Sequence, residues 1–501
     1  MPLSRYDRMA HLLRRAAFGA RPEEINSYLR KGFEATVDEL VNYDNVPEDP
    51  TIPALPTTRG GGFNIEILDI PNVMAWWYTI MIKTRRPLRE RMVMFWHDHF
   101  ATSISKVNVP NGLKYLYWQN LTERQYATGD FRALCKAMNR DPAMLWWLDN
   151  YLNIKGSPNE NYARELFEIF MLGLEAFNAG GYTEPDVQQA ARAFTGWTIR
   201  RGTDRPTDPN PNGPLTDPAQ AVSIPPTNND NSVAARNHDY GDKTVFGVQR
   251  NFNGDDIVDL VLDHEPQRTH AARMLGKKLF EYFAYANPEP AVVEHLTAVM
   301  LRHNFNLKPF LRDLFLNTKE FYSDKAFHAL IKDPNYYAVS AVRLLQAEVT
   351  PDTLVGQGRQ GAGIGNPTAM GMRLFDPPDV FGWPGGEDWV TTSRLLARAA
   401  FGNVLATNRS TTVGNRGIPV EQLLQTAGLG STTTAEQVVD YFVSLLIQRR
   451  LALTVRQALV DYLKKNDAGV VTGFTLDATS IDKKVRGLIH LLLARPEAQN
   501  F

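Results

Sequence analysis

Two histidines flank an aspartate in FWHDHFATS, residues 95–103, and no other stretch of the chain packs His and Asp so tightly. Imidazole nitrogens bind divalent metals, and a carboxylate beside them can act as a general base. On a straight helix His97 and His99 stand about 200° apart and cannot share an ion. Two arrangements bring them together: a helix that ends near Trp96, or an extended segment whose alternate residues share a face. Thr102 and Ser103 are poor helix-interior residues and good caps, so they favour the early ending. The alternative is a capped helix end with hydrogen-bonded histidines.

NENYARELFEIFMLG (159–173) supplies a second acid. Glu160, Arg164 and Glu168 fall at i, i+4 and i+8, the spacing of a salt-bridge ladder. Glu165 has Tyr162, Ile169 and Leu172 as helical neighbours, so it turns toward apolar surroundings. A carboxylate there must find a partner or stay protonated. His97, His99 or a metal ion would serve. NHDYGDKTVFG (237–247) adds His238, on a loop carried by helices, where site residues concentrate. The expected metal set is His97, His99 and His238, holding one divalent ion, with Glu165 or Asp98 as general base and an open position that activates water; a solvated turn is the alternative for the His238 segment. Trp383 and Trp389 of FGWPGGEDW, with Arg164 and Asn161, form the substrate-binding set; core packing is the alternative for the tryptophans. GQGRQGAGIG lacks the Lys-Ser/Thr ending of a phosphate loop, and no G-x-S-x-G or H-E-x-x-H pattern occurs.

The elements that must position these residues read as helices. Pro87 suits a first turn, and Leu88, Met92 and Phe95 form one apolar stripe. Gly19 and Gly173 are stop signals. Thr183 and Asp186 form a capping-box pattern before an inward face of Val187, Ala190, Ala191, Phe194 and Trp197. Residues 201–244 are an irregular insertion rich in Pro, Asn and Asp, with a short strand or hairpin near AVSIPP; residues 350–392 are a second irregular region. Two-residue alternation is almost absent. The expected fold class is all-α, one large helical domain over 1–501, with 1–200 and 245–501 as its two lobes if it divides. HLLRRAAFG (11–19) and RLLARAAFG (394–402) echo one another. They read either as two amphipathic helices closed by glycine or as a pseudo-symmetric pair.

Lys+Arg total 54 against 55 Asp+Glu, so the net charge of -1 points to neither nucleic acid nor an anionic membrane. The single cysteine, Cys135, excludes an intrachain disulfide framework. No run reaches the roughly 18 apolar residues of a transmembrane helix. The N-terminus has scattered arginines and no apolar signal region, so the default location is cytoplasmic, or the envelope or exterior if a leader has been removed.

FWHDHFATS, DPAMLWWLDN, PNENYARELFEIFMLG, GGYTEPDVQQAARAFTGW, NHDYGDKTVFG and DPPDVFGWPGGEDWVTTSRLLARAAF together resemble the bacterial family known as domain of unknown function 1800. The matching positions are His97, His99, Asn159, Glu160, Asn161, Arg164, Glu165, Tyr182, Thr183, His238, Trp383 and Pro384. The resemblance implies a largely helical protein and assigns no activity. It also implies export for many relatives, and a sulfatase- or phosphatase-like partner from neighbouring genes. Two functions follow as expectations: a metal-dependent hydrolase acting on a glycan or a phosphate or sulfate ester, or a non-catalytic helical binding or assembly protein that works with a separate enzyme. A metal-free hydrolase using Glu165 with Asp98 is a third.

Overall fold

The computed structural model describes residues 3–52, 70–108, 112–199, 222–223, 233–355, 366–466 and 468–501. Helices dominate. Strand is confined, among the described residues, to two short antiparallel ladders: Thr198–Ile199 with Val222–Ser223, and Lys243–Val245 with Val248–Arg250. The first places a strand where AVSIPP was expected to form one. Most of the 201–244 insertion and all of GQGRQGAGIG lie outside the described residues.

The local signals explain the elements. Pro87 opens the helix Pro87–His99, and Leu88, Met92 and Phe95 are all buried. Thr183 and Asp186 exchange side-chain-to-backbone hydrogen bonds at the start of Glu184–Ala193, whose inward residues Val187, Ala190 and Ala191 are buried together with Phe194 and Trp197 just beyond. Gly173 adopts a left-handed backbone, φ 86°, and stops the preceding helix. That helix is not uniform. Asn161–Glu165 is α-helical, and Leu166–Met171 widens into a π turn. Such turns are uncommon and are frequent at functional positions.

One connected apolar core runs from Met9 to Phe501. The echoed segments enter it on either side of the helix Pro334–Leu344. Tyr336 donates its hydroxyl to the Arg14 carbonyl, and the adjacent Tyr337 donates to the carbonyls of Arg398 and Leu493. The glycines of the echo differ. Gly19 ends the helix Arg5–Ala16, with its N–H on the Leu13 carbonyl. Gly402 lies inside the helix Thr392–Thr407, where a methyl group would sit 3.1 Å from Leu493 Cβ. It permits close helix packing; closure by glycine holds for the first copy only. No helix among the described residues is long and apolar enough to cross a membrane.

Candidate functional site

The helix carrying FWHDHFATS does not end at Trp96. It continues through His99, and the Phe100 N–H closes the last turn on the Trp96 carbonyl. Thr102 and Ser103 are not caps: Thr102 donates to Gln119 and Ser103 to Asp376. His97 and His99 therefore point to different sides of the helix.

His97 is buried among the rings of Trp77, Phe375 and Trp383, at 5.0, 5.0 and 5.4 Å. Its Nε2 accepts the Phe375 backbone N–H at 3.1 Å, which leaves the proton on Nδ1. Burial lowers its pKa to about 3, so the ring is neutral. Glu123 Oε2 lies 3.8 Å from Nδ1, too far for a hydrogen bond. Burial, with Asp141 nearby and only Arg124 opposing, raises the Glu123 carboxyl well above its ordinary range. Burial thus disfavours the charged form of both partners.

His99 uses the other tautomer. Nε2–H donates to the Phe170 carbonyl at 3.0 Å, and Nδ1 accepts from Lys278 Nζ at 3.3 Å. Gly173 stops the helix just past Phe170 and leaves its carbonyl without an in-helix donor, so His99 caps it. Burial, then the Lys278 charge, pushes the His99 pKa well down. Between the two imidazoles, Asp98 accepts the Trp383 N–H at 2.8 Å and is partly open to solvent. Burial raises its carboxyl to about 6, against the pull of that N–H and of Lys278. The Trp383 backbone comes so close because position 382 is glycine: its φ is +87°, and a methyl group there would fall 2.2 Å from Asp98 Oδ1.

The remaining expected residues lie elsewhere. His238 Nδ1 donates to the Thr195 carbonyl at 2.7 Å, in a loop clamp that also pairs Asp239 with Arg192. Glu165 is half-buried and has no hydrogen-bond partner among the described residues; burial, then Glu168, raises it to about 6 while Arg164 opposes. Arg164 completes the expected ladder with Glu160 and Glu168 and adds a two-pronged pair with Glu184. Asn161 is exposed, its N–H on Asn159 Oδ1 at the helix start. Trp383 and Trp389 are buried and pack with the core.

The three histidines are thus not brought together. Each is fixed to a different backbone group, and no cluster of three or more His, Cys, Asp or Glu with metal-holding geometry occurs among the described residues. The sequence reading missed Lys278, Phe375 and Gly382. Lys278 carried a signal: it falls three residues after Leu275 and four before Tyr282 on a helix that buries Leu275 and Leu279.

A mostly helical chain with a His-Asp-His helix end clamped to one loop and to the π turn of a second helix is the class defined by fold and site. The chain belongs to the family described as Protein of unknown function (DUF1800), whose model matches residues 11–500. No curated protein and no solved structure matches it.

Proposed function

We propose that this protein is a helical binding or assembly protein that works with a separate enzyme, its His-Asp-His segment shaping a contact surface. One observation carries this reading. His97, Asp98 and His99 each bond main-chain groups, namely Phe375 N–H, Trp383 N–H and the Phe170 carbonyl. Two of these bonds pin both ends of one loop. Between the pins a tight turn, Asp379–Gly382, presents Phe381 at 64% exposure, its N–H tied to Asp379 Oδ1 at 2.8 Å. A rigidly held exposed aromatic anchors a partner at low ordering cost. The partner class, a sulfatase- or phosphatase-like enzyme, rests on the family resemblance. The test is co-expression with such a partner and gel filtration. The wild type should co-elute, and Phe381→Ala should not while keeping its melting temperature. Co-elution of Phe381→Ala at wild-type level would sink the reading.

A hydrolase acting on a glycan or a phosphate or sulfate ester is the second reading, favoured by Glu165. A half-exposed carboxyl raised to about 6 and free of hydrogen bonds suits general acid–base work near neutrality. Neither Glu165 nor Asp98 shows electrostatic coupling to the other, so Glu165 would act from the Arg164–Tyr182 side. A divalent ion on His97, His99 and His238 would first require all three backbone bonds to break. Turnover of an aryl phosphate, aryl sulfate or chromogenic glycoside by the purified chain, lost in Glu165→Gln, would establish this reading over the first.

A further inference from the structure

The first helix carries part of a second polar cluster. Arg14, Arg15, Arg91, Arg398 and Lys332 are all buried within one region of the core. Aromatic faces cover several of them: Arg14 lies over Phe327, Arg15 over Phe501 and Arg398 over Tyr337, at 5.1, 4.6 and 5.0 Å. Such stacking offsets only part of the cost of removing a guanidinium from water. The hydrogen-bond count stays short. Arg14 uses one donor on Gln448 Oε1, at 2.9 Å, and its Nε and Nη2 have no acceptor among the described residues. Arg15 Nε and Nη1 and Arg398 Nε are likewise without one. His328 faces the Gln448 backbone without completing a hydrogen bond from either ring nitrogen. The carboxylate of Asp7 acts on Arg14, and that of Asp333 on Arg398. Neither pairs with Arg14 or Lys332, and Asp333 lies 3.9 Å from Arg91.

Buried polar groups are nearly always satisfied, and buried charges are nearly always compensated. Ordered water would supply the missing acceptors but not the missing negative charge. Within the cluster, Arg14 disfavours the charged forms of both His328 and Lys332, and Lys332 that of His328. Burial, followed by Arg14 and Arg398, takes the Lys332 ammonium down to about 7. An anion would reverse that. A groove of about 390 Å³ adjoins the cluster at Gln448, lined by Tyr6, Asp7, Asp440, Gln448, Arg449 and Arg450 among others. Gln448 is the residue that Arg14 touches, and Arg449 acts on both Arg14 and His328.

We propose that Arg14, His328 and Lys332 bind a small oxyanion of the phosphate class, admitted past Arg449 and Gln448 from this groove. The fork of Arg14 supplies paired donors, and Lys332 supplies a compact charge. Thermal unfolding of the full chain, freed of phosphate and sulfate, tests this under titration with sodium phosphate at fixed ionic strength set by chloride. The expected result is a saturable rise in melting temperature of about 2 °C or more. Lys332→Met should abolish the saturable rise while unfolding no earlier than wild type in chloride alone. Should that variant fail to fold, Arg449→Ala, at the groove surface, should still saturate, with affinity about tenfold weaker. Glycerol 3-phosphate distinguishes the source: a matching rise shows that a phosphate ester enters through the groove, and a rise with inorganic phosphate alone shows a site for the free ion. Either supports the site. It is overturned if phosphate does no more than chloride, or if Lys332→Met responds as wild type does.

Discussion

The junction around Asp98 and the cluster around Arg14 are built from similar materials and solved differently. Both bury histidine and a cation against aromatic rings. At the junction Glu123, beside His97, is left without a hydrogen bond among the described residues. The bonds to main chain close there: His99 donates to one backbone carbonyl and accepts from Lys278, His97 accepts one backbone N–H, and Asp98 accepts another. At the cluster they stay open, with five arginine nitrogens lacking acceptors among the described residues and no carboxylate in ion-pair contact with Arg14 or Lys332. A closed polar network holds chain segments in register, whereas an open one of a single sign calls for something from outside. Histidine and charge in a core therefore mean little until their partners are counted.

The comparison can be broken by removing its parts. The largest effect is expected from His99→Ala, which strands the Phe170 carbonyl and the Lys278 ammonium and leaves a cavity. It should cost about 3 kcal/mol in urea unfolding. Gly382→Ala should cost about 2 kcal/mol, since it forces a methyl group into Asp98 from a left-handed backbone. Its near-UV circular dichroism should change with the displacement of Trp383.

The pH dependence is expected to be smaller and to carry a sign. Burial raises Asp141 from 3.8 to about 7, against the pull of its backbone and Gln119 hydrogen bonds. Its folded form holds the proton more tightly than its unfolded form. The stability it contributes is full below about pH 4 and is lost as pH rises toward 7. His97, lowered from 6.5 to about 3, works in the opposite sense, and its contribution is lost as pH falls through that range. Asp141→Asn keeps the helix cap and should gain on wild type steadily from pH 4 to 7 in urea midpoints. A constant difference would remove Asp141 from the account. Least of all, Lys332→Met should leave stability unchanged or raise it by about 1 kcal/mol in chloride, because it removes an uncompensated buried charge. A loss there as large as that of His99→Ala would erase the distinction between the two regions.

Much of the local structure was legible in the sequence because its causes are local. The Thr183–Asp186 cap, the Leu88–Met92–Phe95 stripe and the stop at Gly173 all form as read. The end of the His-Asp-His helix was not, because Thr102 and Ser103 find partners on other segments and never act as caps. The separation of the three histidines was hidden for the same reason. Which backbone group each imidazole meets depends on residues 170, 195 and 375, which no spacing rule connects to 97, 99 or 238. The arginine cluster did leave a trace. Arg15 falls three residues after Leu12 on the buried face of its helix, and the echo places Arg398 at the equivalent position.

The two adjacent tyrosines of Pro334–Leu344 have a mechanical consequence. Tyr336 latches the segment that begins the core and Tyr337 latches segments from its last quarter, about 100° apart around one rod. That rod cannot turn without loosening both latches, and Lys332 stands two residues before its first turn. A tug at Lys332 is therefore felt by both distant ends of the polypeptide at once.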